Sequence, residues 1–65
     1  MNDDELQELR NQLEGIAERL GELIMEEVRS AIKAGEGKRT DLDKRLTRAR
    51  SSIEKAAHLL TRPDQ

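Results

Sequence analysis

The chain has 65 residues, 34% hydrophobic and 40% charged, with a net charge of −2. It contains no Phe, Trp, Tyr or Cys and a single His, which excludes disulfides and thiolate metal ligands and removes the rings that stack on bases or sugars. A core of this size supplies only about 3–5 kcal/mol, so stability is expected to come from association or from very regular helix packing.

The first element is a helix over about residues 3–34. Leu6, Leu9, Leu13, Ile16, Leu20, Ile24, Val28 and Ile32 recur at steps of three or four, the spacing of one helix face rather than a strand. Asn2, Asp3 or Asp4 can cap its start, and acids there suit the positive end of the helix dipole. Leu6 to Leu23 fit a heptad. Continuing that frame would turn Glu27 and Ser30 inward, so Ile24, Val28 and Ile32 are the expected buried set and the heptad is expected to slip by one. Gly15 and Gly21 each cost about 1 kcal/mol relative to Ala. Gly21 lies on the core stripe, where a small residue admits a close neighbour.

The turn is expected over 35–39, within the stretch AGEGKRTDL from Ala34 to Leu42. Its Gly-Lys pair superficially matches a phosphate-binding loop. The position of the leading glycine is Ile32, however, the residue after Lys38 is Arg39 rather than Ser or Thr, and the stretch follows a helix instead of a strand; the loop chemistry needs all three. The plainer expectation is that Gly35 takes the left-handed position after the first helix, Gly37 lets the chain reverse, and Thr40 caps the second helix. Lys38 and Arg39 then stand beside a helix N-terminus, where backbone N–H groups favour anions.

The second helix is expected over about 40–62. Leu42, Leu46, Ala49, Ile53, Ala56 and Leu60 recur at 4, 3, 4, 3, 4, a heptad seam in which large and small residues alternate. Asp43 follows the Thr40 cap at the place usually held by the Glu of a capping box. Pro63 ends the helix.

A connection this short makes the helices antiparallel neighbours. The expected pairs are Ile32 with Leu42, Val28 with Leu46, Ile24 with Ala49, Leu20 with Ile53, Ile16 and Ala17 with Ala56, and Leu13 with Leu60. Leu6 and Leu9 then project past the end of the shorter helix. The fold class expected is all-α, one domain over 1–65: an antiparallel helical hairpin. The apolar faces are too wide for one hairpin to bury, so two copies are expected to form an antiparallel four-helix bundle. Leu6, Leu9, Leu13, Leu20, Ile24, Val28, Leu46, Ile53 and Leu60 are the expected self-association residues. The other covering partner would be a groove on another protein.

Charge divides along the chain. Residues 1–27 hold nine acids and two bases, and residues 28–65 hold ten bases and five acids. An acidic helix beside a basic one is expected to form flanking salt bridges, each worth a few tenths of a kcal/mol, whose main effect is to specify orientation. The alternative expectation is a nucleic-acid surface formed by Lys38, Arg39, Lys44, Arg45, Arg48, Lys55 and Arg62, with salt-dependent, sequence-independent affinity. In size and hairpin layout the chain is similar to the plasmid RNA-binding helical-hairpin dimers of the Rop type, an architectural likeness without shared motifs.

No catalytic, cofactor or metal site is expected. Glu54 and His58 are four apart and share a helix face, but one His with one carboxylate reads first as solvated surface. Ser30, Ser51 and Ser52 lack triad partners in any recognisable spacing. Residues 5–28, ELQELRNQLEGIAERLGELIMEEV, resemble the long first helix of the all-helical chorismate mutases; that family draws cationic ligands from further helices, and no enzymatic role is expected on this run alone. No apolar run approaches the roughly 20 residues of a membrane span, and there is no secretory signal pattern. The resulting expectation is a non-catalytic, cytoplasmic interaction or regulatory module whose partner is itself and, beyond that, another protein.

Overall fold

A computed structural model describes residues 3–35, 37 and 39–61. Two helices form an antiparallel hairpin: α1 spans Asp3–Lys33 and α2 spans Asp41–Leu59. The molecule is a rod of 50 × 15 × 15 Å, close to the roughly 46 Å that 31 helical residues span at 1.5 Å each.

The end of α1 and the start of α2 form as the residue types require; Asn2, a cap candidate for α1, and Pro63, expected to end α2, lie outside the described residues, and α2 ends at Leu59 rather than near 62. Gly35 has φ +82, the left-handed region that a side chain disfavours by about 1–2 kcal/mol, and its N–H donates to the Ile32 carbonyl at 3.0 Å. That is the inner bond of a Schellman-type cap. Thr40 is extended (φ −78, ψ 165) and its hydroxyl accepts the Asp43 N–H at 3.0 Å. This satisfies one of the free donors of α2.

The face that α1 turns toward α2 differs from the expected one. Ala17 is buried, and Leu13, Leu20, Ile24, Glu27, Val28 and Ala31 are half-buried, whereas Ile32 is 67% exposed. Ile24 and Val28 are thus half-buried as expected, but Glu27 and Ala31 are half-buried beside them and Ile32 is not. Glu27 does turn inward, because Thr40 donates its hydroxyl hydrogen to the carboxylate at 2.6 Å, and Ile32 is carried out to the flank.

In α2 the correction is a rotation. Asp43 and Ala57 are buried and Leu46, Ile53 and Leu60 half-buried, while Leu42 is 48% exposed and Ala49 is exposed. The inner line thus runs through 43, 46, 50, 53, 57 and 60, with the Arg50 side chain itself exposed; Leu46, Ile53 and Leu60 keep their expected places, and Ala56 stays half-buried at the edge of the line. Arg50 occupies one of these positions by laying its guanidinium over Gly21: a methyl on that glycine would stand 3.3 Å from the Arg50 guanidinium carbon. The small residue admits a close neighbour as expected, but the neighbour is an arginine head, not a packed apolar stem.

Both inner lines share an edge with a second stripe. On α1, Leu13 and Leu20 lie between the inner Ala17 and Ile24 and the outer Leu9, Ile16 and Leu23. On α2, Leu46, Ile53 and Leu60 lie between the inner Asp43 and Ala57 and the outer Leu42, Ala49 and Ala56. A helix with two adjacent apolar stripes has the pattern of a bundle member with two neighbours; within one hairpin each helix has a single neighbour.

Candidate functional site: an open apolar face

The two outer stripes lie on the same side of the hairpin. Glu14 of α1 and Glu54 and His58 of α2, with Ala17, Ala57 and Thr61, line one shallow groove, which marks one side. Ile16 is two residues from Glu14, about 200° round its helix, and Ala56 is two residues from both Glu54 and His58, about 200° round α2. Ile16 and Ala56 therefore share the opposite side. Steps of seven residues return within about 20° of the same line, so Leu9 and Leu23 join Ile16, and Leu42 and Ala49 join Ala56.

This face is largely in water. Leu9 is 41% exposed, Ile16 44%, Leu23 48% and Leu42 48%. Among the described residues the only apolar side chains classed as buried are Ala17 and Ala57, and no large side chain is fully buried. Of the residues expected to mediate association, Leu6, Leu13, Leu20, Ile24, Val28, Leu46, Ile53 and Leu60 are half-buried and Leu9 is exposed. The structure brings most of them to the inner seam or to the edge it shares with the open face. Sequence periodicity merges two stripes into one and so pairs Ile16, Leu42, Ala49 and Ala56 inside the hairpin, where Ile16, Leu42 and Ala49 are exposed and Ala56 is half-buried; the signal for a second stripe was there in the width of the apolar arc.

The polar links fix register. Glu27 and Arg10 stand seventeen residues apart on α1, about 25 Å. The first accepts from Thr40 at the N-terminus of α2, and Arg10 Nη1 donates to the Leu60 carbonyl at its C-terminus over a long 3.4 Å. An acid at the positive end and a base at the negative end both favour this alignment. The acidic–basic complementarity of the helices acts at the termini here, whereas the ion pairs with defined distances, Arg39–Asp43 and Arg50–Glu54, each join residues four apart.

The tightest polar cluster closes the turn. Arg39 donates from Nε to Asp43 Oδ2 at 3.2 Å and from Nη2 to Oδ1 at 3.0 Å, and also from Nη2 to Thr47 Oγ1 at 2.6 Å. Thr47 donates to Asp43 Oδ1 at 3.4 Å. The Asp43 carboxylate is thus turned to Arg39 rather than back to the Thr40 N–H, and the expected capping box is only half made. Hydrogen bonds from Arg39 hold the Asp43 carboxyl below its usual range; burial opposes them, and the Arg39 charge and the Thr47 hydroxyl add to them. The same hydrogen bonds and charge raise Arg39. A carboxyl held down in the folded state adds stability that is present above its unfolded pKa of about 3.9 and lost as pH falls through the folded value. The melting difference between the parent chain and Asp43→Asn is therefore expected to be constant above about pH 5 and to shrink below about pH 4. A difference that does not change with pH would show that the pair contributes nothing through ionisation.

The basic residues fall elsewhere. Lys44, Arg45, Arg48 and Lys55 are exposed along the outer side of α2 and, among the described residues, take part in no ion pair. Arg39 belongs to the turn cluster, and Lys38 and Arg62 lie outside the described residues. Glu54 and His58 share the shallow groove with Glu14, but among the described residues no three metal-ligating side chains gather. No described helix is long and apolar enough to cross a membrane.

Comparison with protein-family models, with curated proteins and with solved structures finds no match.

Proposed function

We propose that this hairpin is a self-associating, non-catalytic interaction module whose working form is a four-helix bundle of two copies. The observation that carries the proposal is the open apolar face: Leu9, Ile16, Leu23 and Leu42 largely in water, with exposed Ala49 and half-buried Ala56 between them, on a hairpin that, among the described residues, buries no apolar side chain larger than alanine. Apolar surface is favoured out of water at about 25 cal/mol per Å², and among the described residues there is no third element to cover it. A second copy presents the same stripes in the same heptad spacing, which is the self-complementarity a two-fold interface needs. Contact with a further protein would then use surfaces left outside the bundle.

Sedimentation equilibrium at micromolar concentration tests this. The expected mass is twice that of the 7.4 kDa chain, and a folded monomer with no associated species overturns the proposal.

A further inference from the structure

Two hairpins can stack open face to open face about either of two axes. With the axis across the rods, α1 lies on the partner's α1 and α2 on the partner's α2, and the two turns stand at opposite ends. With the axis along the rods, α1 lies on the partner's α2 and both turns stand at the same end. We infer that the second copy docks in the latter way; this rests on the self-association proposed above and specifies its geometry.

Size is the first argument. A rotation about the long axis leaves every residue at its own height, so the register inside the hairpin also sets the heights across the new interface. Gly21 is level with Arg50, and Arg10 is near Leu60. Ile16 therefore stands within a turn of the partner's Ala56, and Leu23 within a turn of the partner's Ala49. The large side chains of the open face are on α1 and the small ones are mostly on α2, so each large residue meets a small one and the layers interdigitate. The crosswise stacking sets the large set against itself and the small set against itself, which splays one seam and pinches the other.

Charge is the second and independent argument. The first 27 residues carry nine acids and two bases, and residues 28–65 carry ten bases and five acids. Lengthwise stacking flanks both new seams with opposite signs and brings Glu26 to the height of the partner's Arg45. Crosswise stacking sets acidic α1 beside acidic α1. Like charges along a helix seam oppose pairing and opposite charges select it.

The test is the distance between the two turns. Gly37 is exposed, has no positive φ, and has open space where a Cβ would stand, so Gly37→Cys in the full chain carries a nitroxide without strain. Dipolar electron resonance is expected to give about 15–30 Å between labels, the width of a bundle whose helices pack at 8–10 Å. A distance near 50 Å, set by the helical rise over two half-rods, would overturn the lengthwise arrangement while leaving self-association intact. Absence of intermolecular coupling at a concentration where the chain is folded would overturn both. The same label at Lys33, on the exposed last turn of α1, repeats the measurement from a helical position. There the lengthwise arrangement again gives the short distance, and a distance of about 40 Å contradicts it.

Discussion

Ile53→Asp is expected to abolish the cooperative thermal transition seen by circular dichroism. Ile53 is half-buried on the edge shared by the inner seam of α2 and the open face, so a carboxylate there loses its water in both contacts. Burying an unpaired polar or charged group costs about 3 kcal/mol or more, and the whole fold of a 65-residue chain is worth only about 3–5 kcal/mol before association. One substitution is thus enough to spend the entire margin. A melting curve like that of the parent chain would show that the seam has been placed on the wrong face.

Ile16→Asp separates the hairpin from the bundle. In a lone hairpin Ile16 is 44% exposed and touches the inner seam only at its edge, and a surface substitution of that kind changes stability by about 0.5 kcal/mol or less. In the bundle the same residue is covered on all sides, and removing a central apolar anchor from an interface costs at least about 2–4 kcal/mol. The dissociation constant is then expected to weaken by about 100-fold or more. Ser51→Asp, on the exposed side of α2 away from the open face, is the control and is expected to leave mass and melting unchanged. If Ile16→Asp sediments and melts as the parent chain does at the same concentration, the open face is not where copies meet.

The turn shows how local chemistry and long-range packing divide the work. Gly35, Thr40 and the end of α1 at Lys33 are placed by rules that span three or four residues: a glycine where φ must be positive, a hydroxyl where free N–H groups need an acceptor. Those rules are written in the sequence, and the observed elements end within a few residues of where they point. The fate of Asp43 is different. Its position fits a capping box, but a bidentate arginine four residues earlier competes for the carboxylate and wins it, because a charge-assisted pair is stronger than a bond to a neutral N–H.

The sequence by itself determined two helices, the glycine and threonine that flank the turn, the antiparallel order and the division of acid from base, since each follows from spacing, propensity and sign along a short stretch of chain. Which apolar residues face the other helix was decided only by the tertiary structure. A stripe read at 100° per residue is an arc wide enough to hold two lines, and a rotation of one residue exchanges Leu42 and Ala49 for Asp43 and Arg50. That rotation is set by contacts across the hairpin: Thr40 on Glu27, Arg10 on the end of α2, and the Arg50 head lying over the bare backbone of Gly21. Polar bonds and one missing methyl turned Ala17 and Ala57 inward and left Leu9, Ile16, Leu23 and Leu42 on the open side, where a second chain can cover them.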